Sequence, residues 1–515
     1  MPSKLYSLTF RGIDTQTIEI ETDVSNGLHS FSIVGLGDKA VMESKERISS
    51  ALKNNNLKPP RSFSRRVTVN LAPADVKKEG GIYDLAIAIG FLIDSEQIKP
   101  SQEILANTLI MGELGLDGEI RSIKGALLGA LHAKANNYST LIVPFKNQKE
   151  AALVKEVDVI ALSSIREVID YLEGKEVKIK NHSVIGQKKD ERKLSLDNDF
   201  SLIRGQKNAK RALEIAAAGG HNVMFKGPPG SGKTLLAKST TTILPSMPYE
   251  EALEVTKIES VIGGISYDMP LVSKRPFRAP HHTSSESAII GGGAKLMPGE
   301  ITRAHRGVLF MDEFPEFHRD VLESLRQPLE EGSILVARAR GMVEYPANFI
   351  LIAAANPCPC GYYGDKSNEC TCSMGSVIRY QRKLSGPIAD RIDLHVHVPR
   401  QSHKKISSNN LSESSESIRE RVERARKIQE KRFQNENILL NSEMKLSHIK
   451  KYCTLTQKNE EMLGKSIDKY KLSARAYHSI LKISRTVADI RESENIEWKD
   501  VSLALQYAKR DVSII

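Results

Sequence analysis

The sequence predicts a multidomain α/β protein. An N-terminal α+β block spans residues 1–175, a linker 176–198, a central domain with a parallel sheet 199–400, and an α-helical C-terminal domain 401–515. Three observations predict this. Segments of strict apolar–polar alternation separated by helical patterns fill the first third of the chain. A glycine-rich turn in the middle third joins a short apolar run to a helical one. From Ile418 onward the pattern is helical, with no strand signal.

In the first block, Thr17-Ile18-Glu19-Ile20-Glu21 and Arg66-Val67-Thr68-Val69-Asn70 alternate as half-buried strands do. Helical periodicity covers 40–54, 84–93 and 123–136. Residues 176–198 are polar and charged, with few large apolar side chains, as a linker requires. The stretch 401–417, rich in Ser, Asn and Glu, marks a second boundary. Hydrophobic residues make up 40% of the 515 and charged residues 27%, which excludes a largely disordered chain. No apolar run reaches the roughly 18–20 residues of a membrane span, so no membrane partner is expected. The N-terminus, MPSKLYSLTFRG, lacks the apolar core of a secretory signal. With five cysteines, too few for a disulfide scaffold, the expected setting is a reducing cytoplasm. A net charge of +11 suits a polyanionic partner such as nucleic acid, and equally a soluble protein that is simply basic.

Gly227-Pro228-Pro229-Gly230-Ser231-Gly232-Lys233-Thr234 matches G-x-x-x-x-G-K-[ST] between the apolar run Asn222-Val223-Met224-Phe225 and a helical pattern. Its glycines let backbone N–H groups turn inward around phosphates, and the helix N-terminus adds its positive end. ATP with Mg²⁺ is the implied ligand. Lys233 reaches the β- and γ-phosphates and the Thr234 hydroxyl holds Mg²⁺. Gly307-Val308-Leu309-Phe310-Met311-Asp312-Glu313 reads as a buried parallel strand with two carboxylates at its C-terminal edge. Asp312 supports Mg²⁺ and Glu313 polarises the attacking water. A second apolar strand over 349–355 ends in Asn356, placed to orient that water or touch the γ-phosphate.

The order of P-loop, long insert, LFMDEFPEF, hairpin-like segment, LIAAANPCPCG and SGPIADRIDLHV resembles the magnesium-chelatase-like branch of the AAA+ ATPases. With RPFRAPHHTSS and GGGAKLMPGEITRAHRG, the whole chain is similar to the YifB/ComM family. The resemblance implies that Arg391, in Ala389-Asp390-Arg391-Ile392-Asp393, is an arginine finger reaching a neighbouring subunit's phosphoryl group. Without the family, a salt bridge to Asp390 or Asp393 is the reading. It implies that Arg475 is the second sensor arginine on the lid helices, with Arg485 the alternative. It also implies a homo-oligomer, in the family's usual hexameric ring, acting as a helicase that drives branch migration of DNA joints in recombination and natural transformation. A chelatase-type protein remodeller is the alternative, although the chain lacks the D-x-S-x-S metal motif that this would require.

Single-stranded and branched DNA are the implied partners. The insert over 261–306 holds Lys274, Arg275, Arg278, His281, His282 and Lys295 as candidate phosphate contacts. Ser333 to Tyr345 resembles a hairpin with Arg338 and Arg340 near its tip, which suits either a grip on a polyanion or a solvated edge strand. The basic run Arg419 to Arg432 reads as a solvated helix face with i,i+4 pairs.

Cys358, Cys360, Cys370 and Cys372 form C-x-C-x₉-C-x-C. The first reading is a structural zinc site, with a reversible disulfide or an iron–sulfur cluster as alternatives. Four thiolates leave zinc no open position, so it has no catalytic role. Residues 69–93 and 111–144 resemble the Lon-protease-like domain, a ribosomal-protein-S5-type fold. Lys124 matches the catalytic lysine, but the nucleophile segment Lys78-Glu79-Gly80-Gly81-Ile82-Tyr83-Asp84 contains no serine, which removes the Ser–Lys chemistry unless another serine is recruited. Ring assembly or DNA guidance is the role expected of this block, whose rim carries Lys58, Arg61, Arg65 and Arg66.

Overall fold

The computed structural model describes residues 2–177, 198–293, 296–338, 341–365, 368–383, 388–401 and 412–508. Nearly all of the expected linker lies outside these residues. They divide into two compact units. The first holds the N-terminal block together with Ala252–Val272, and the second holds the central and C-terminal segments.

In the first unit a seven-stranded sheet runs in the order Ser30–Val34, Arg65–Ala72, Asp14–Asn26, Ser3–Arg11, Thr108–Ile110, Thr140–Pro144, Asp158–Leu162. Asp14–Asn26 is antiparallel to both of its neighbours, and the remaining pairings are parallel. The alternation seen in the sequence is the alternation of burial: Ile18, Ile20 and Thr22 face the core, as do Val67, Val69 and Leu71. The three expected helices form at Lys39–Asn54, Asp84–Asp94 and Ala126–Ala135. The third begins later than its periodicity suggests because Gly125 caps it in a left-handed conformation (φ +79°), where a Cβ would lie 2.5 Å from Phe10 Cζ. Asp84–Asp94 is buried from Asp84 through Leu92, and each large apolar side chain there contributes about 1.5–3 kcal/mol. Its first carboxylate takes two bonds from Arg47, at 2.6 and 2.9 Å.

The nucleophile segment and the lysine position of the protease resemblance serve structure here. Lys78 is fully buried and donates to the Pro73 carbonyl. The Lys124 ammonium donates to the Ile262 carbonyl at 3.0 Å. Ser260, whose carbonyl accepts from Gly125 N–H, gives its hydroxyl to Glu150 at 2.5 Å. Among the described residues, no serine hydroxyl bonds the Lys124 ammonium.

The second unit is built on a five-stranded parallel sheet in the order Phe277–Arg278, Val308–Met311, Ile350–Ala355, Val223–Lys226, Leu394–His397. Val308–Met311 and Ile350–Ala355 are buried at every residue, as strands covered on both faces are. The C-terminal helices Ser415–Arg432, Leu446–Tyr452, Gln457–Tyr470, Ala474–Ile490 and Trp498–Ala508 bury their apolar stripes in the same core as this sheet. The segments on either side of residue 400 thus share one core within one compact unit. Ser415–Arg432 turns Ile418, Val422, Ala425 and Gln429 inward. Its arginines pair with other elements rather than along the helix: Arg421 with Glu214 and Glu413, Arg424 with Glu492, Arg432 with Asp489.

Ser333–Arg338 and Gly341–Pro346 form the expected hairpin, pairing Val336 with Val343 and Arg338 with Gly341. Ile334, Val336, Val343 and Tyr345 are buried, and Leu335 and Met342 are exposed. The side chain of Arg338, and Arg340 and Lys295 altogether, lie outside the described residues. The insert does not behave as one basic element. Ala252–Val272 joins the first unit, and its later part folds with the second. Arg275 is largely buried against Glu251 and the carbonyls of Pro245 and Arg306, and Arg278 makes a two-pronged pair with Glu300 at 2.6 Å on each arm. Two of the expected phosphate contacts thus have internal partners. Among the described residues, no helix is long and apolar enough to cross a membrane.

Candidate nucleotide site

Val223–Lys226 delivers the chain into the glycine-rich turn, and Lys233–Ile243 carries it away as a helix. Gly230 and Gly232 sit at φ +71° and +91°, where an L side chain is strained, and a Cβ on either would meet nothing within 4 Å. The turn therefore presents bare backbone to open space. The Ser231 hydroxyl within it is buried and makes no hydrogen bond. These features fit a phosphate cradle.

Lys233 is largely buried and donates to the carbonyls of Gly227 (2.8 Å) and Pro228 (3.0 Å) and to Asn356 Oδ1 (3.2 Å). Burial lowers its pKa, against the pull of Asp312 and Glu313. Thr234 Oγ1 donates to Asp312 Oδ2 at 3.0 Å, and Asp312 Oδ1 accepts from the Glu313 N–H at 2.9 Å. The sheet order explains the assembly. Ile350–Ala355, which ends just before Asn356, lies between the P-loop strand and the Asp-Glu strand. Lys233, Thr234, Asp312, Glu313 and Asn356 thus come together at the C-terminal strand ends, where open parallel sheets bind ligands.

Two contributors were not legible in the sequence. Gln206 bridges the Ser231 carbonyl (3.2 Å) and the Pro399 carbonyl (2.8 Å), fixing the turn from behind. His282, one of the candidate phosphate contacts of the insert, places Nδ1 3.1 Å from Glu313 Oε2. No local signal announces either one.

Arg391 and Arg475 meet elsewhere. Glu330 takes Arg391 Nη2 at 2.7 Å and Arg475 Nη1 at 2.6 Å, and these bonds, Arg475's first, hold its carboxyl below the usual range. The three line a cavity of about 790 Å³ that no P-loop residue borders. Asp393 bonds His221, Asn222 N–H and Ser479 instead of serving as the partner of Arg391. Arg485 is buried and held by Asp489 and the carbonyls of Ser493 and Glu494, a structural role that leaves Arg475 as the exposed arginine of the pair.

The four cysteines of the cluster converge. Their sulfurs all lie within 4.8 Å of one another. The closest approaches are Cys358–Cys360 at 3.3 Å, Cys360–Cys370 at 3.6 Å and Cys358–Cys370 at 3.7 Å. Tetrahedral zinc with Zn–S near 2.3 Å needs sulfurs about 3.8 Å apart. N–H groups of Cys360 and Tyr363 point at Cys372 and Cys358 sulfurs, each at 3.3 Å, as they do around metal-bound thiolates. The loop also touches the nucleotide site: Gly361, at φ +87°, leaves a space in which a Cβ would fall 2.6 Å from Pro229 Cδ.

Comparison with known proteins matches this architecture segment by segment. Residues 20–147 match the model for subunit ChlI of Mg-chelatase, 199–406 that for magnesium chelatase subunit ChlI, and 412–508 that for its C-terminal region. The chain is 40% identical over 504 residues to "Competence protein ComM" of Haemophilus influenzae, covering 98% of this chain and 96% of the relative. It is 39% identical over 506 residues to "Uncharacterized protein YifB" of Escherichia coli, with the same coverage. The chain belongs to the YifB/ComM family of magnesium-chelatase-like proteins. The family accounts for the order found here, an N-terminal ChlI domain, a central AAA+ domain on a parallel sheet and C-terminal helices. A more distant relative, the "Magnesium-chelatase 38 kDa subunit" of Rhodobacter capsulatus, is 26% identical over 174 residues, 31% of this chain and 50% of that one.

Proposed function

We propose that this protein is an ATP-driven, ring-shaped DNA motor, a helicase promoting branch migration of DNA joints in homologous recombination and natural transformation. The observation that carries the reading is the separation of two half-sites. Lys233, Thr234, Asp312 and Glu313 gather at the P-loop, while Arg391 and Arg475 share Glu330 at a cavity apart from it. An arginine that serves phosphoryl transfer without reaching its own chain's phosphates suits a ring with sites between subunits. A homo-hexamer is the assembly proposed.

The P-loop backbone and Lys233 hold the phosphates of ATP. Thr234 and Asp312 would hold Mg²⁺, which would offset charge on the phosphoryl oxygens. Glu313 takes the proton of the attacking water, and Asn356, tied to Lys233, lies beside the γ-phosphate. Arg391 of one subunit stabilises charge at the next subunit's site, with Arg475 assisting. Cys358, Cys360, Cys370 and Cys372 would hold zinc, which would order the loop beside Pro229; one ion fits sulfurs this close better than a cluster of several irons does. The DNA side rests on the net charge of +11 and on the name of the Haemophilus relative. Single-stranded and branched DNA in the cytoplasm are the partners this implies.

The test is ATP-dependent resolution of a mobile four-way DNA junction by the native chain and by Lys233→Ala. Activity in the first that is absent from the second supports the motor. ATP hydrolysis without junction resolution turns the reading toward a chelatase-type protein remodeller, in line with the magnesium-chelatase name of the Rhodobacter relative.

A further inference from the structure

We propose that Glu330 is a positioning residue for Arg391 and Arg475, holding the two guanidiniums side by side where a neighbouring subunit's phosphates would meet them; this rests on the shared-site reading above. The first support is that one atom serves both. Glu330 Oε1 accepts from Arg391 Nη2 at 2.7 Å and from Arg475 Nη1 at 2.6 Å. Like charges this close repel, and the carboxylate between them offsets that repulsion. The arginines come from elements far apart in the chain. Arg391 ends the turn Ala389–Arg391, and Arg475 lies in the first turn of Ala474–Ile490. Glu330 ties the two together. A guanidinium has five N–H donors, and Glu330 takes one from each, so it orients both groups without exhausting them.

The second support is that Glu330 stands on a fixed base. It belongs to the short helix Arg326–Glu331, which ends at Gly332 in a left-handed conformation (φ +69°). The Gly332 carbonyl accepts from Ala347 N–H at 2.7 Å, and Gln327 Oε1 accepts from Leu335 N–H at 3.2 Å. The helix is thus fastened to both sides of the hairpin that follows it. The third support is where the carboxylate nearer in sequence goes. Asp393, two residues past Arg391, bonds His221, Asn222 N–H and Ser479, and so does not serve Arg391. Arg391 is largely buried, whereas Arg475 is half-exposed. A long, half-exposed side chain with no anchor samples many rotamers, and few of them bring its charge beside the other arginine.

The experiment is steady-state ATP hydrolysis by the full chain, with binding of a fluorescent ADP analogue and thermal melting measured in parallel. Glu330→Ala is expected to lower kcat about tenfold, with analogue affinity and melting temperature near native values, because its own P-loop is untouched. Glu330→Gln, of the same size but uncharged, should lose roughly threefold or more, and it decides the matter if the Ala variant melts early. Mixing then places the defect. Reassembled in equal amounts with Lys233→Ala, Glu330→Ala should recover about a quarter of the native rate, the share of interfaces that join an intact P-loop to an intact arginine pair. Reassembled with Arg391→Ala, it should recover nothing, since no interface then has both. A merely structural defect would not tell the two partners apart. Three results overturn the proposal: a kcat for either variant within about twofold of native or above it, an analogue affinity that falls in step with kcat, or recovery with Arg391→Ala. If Lys233→Ala and Arg391→Ala do not complement each other under the same verified exchange, the shared-site reading itself fails, and the role given to Glu330 falls with it.

Discussion

Thr234 Oγ1 lies 3.0 Å from Asp312 Oδ2, joining the first turn of the P-loop helix to the end of the neighbouring acidic strand. The two groups expected to share Mg²⁺ are thus already in contact. On the proposed reading Asp312 acts on the metal while the loop backbone holds the phosphates, so Asp312→Asn should separate binding from chemistry. Nucleotide affinity without added Mg²⁺ should change little, and hydrolysis should fall by roughly a hundredfold or more. Filter binding and phosphate release on the same preparation check this.

The separation of Arg391 from the P-loop predicts complementation. Lys233→Ala and Arg391→Ala should each lack ATPase activity alone. Mixed in equal amounts and allowed to reassemble, they should recover roughly a quarter of the native rate, the fraction of random interfaces that join an intact P-loop to an intact arginine. Recovery near zero after verified subunit exchange would count against a shared site.

The cysteine cluster should carry about one zinc per chain when the protein is purified under reducing conditions, measured by elemental analysis. Cys358→Ser should lose the metal and lower the melting temperature. Since Gly361 packs on Pro229, the same variant should weaken nucleotide binding several-fold. Gly361→Ala should do so with the zinc retained.

Asp393 gives a pH dependence. Burial acts to raise its carboxyl, but the bond and charge of His221 and the bond from Ser479 outweigh it and bring the pKa down to about 2. An acid whose folded pKa lies below its unfolded value of about 3.9 stabilises the fold fully above pH 4 and ceases to do so as pH falls toward 2. The contribution is on the order of 2 kcal/mol. Melting curves of the native chain and Asp393→Asn should therefore differ most above pH 4 and converge on acidification.

What the sequence discloses follows from how local the physics is. The P-loop was legible because its glycines, lysine and threonine act through one strand, one turn and one helix. Asp312 and Asn356 were legible because apolar runs end at them. Gln206, His282 and Glu330 were not, since each meets partners far away in sequence: His282 comes within 3.1 Å of Glu313 from the turn after another strand, and Glu330 reaches Arg391 and Arg475 from another helix. The basic residues are less legible for a related reason. A formal charge is visible in the sequence, whereas the carboxylate that answers it is not, and Arg275 and Arg278 both have one. The four cysteines kept their promise of proximity despite C-x-C spacing, because the loop between the pairs folds back on itself.

The membership of Ala252–Val272 in the first unit makes the two halves of this protein poor candidates for surgery. The chain leaves the P-loop half after Glu251 and does not return until Ser273, so it changes unit within the stretch that follows the P-loop helix as well as after the N-terminal block. On the borrowed segment Ala252, Val255 and Ile258 are buried, and Leu253 and Leu271 rest on the N-terminal core. A fragment beginning at residue 199 would carry that greasy strip with its seat removed, and an N-terminal fragment would lack one wall. Each half would be orphaned by a cut that looks, in the linear sequence, like a clean seam.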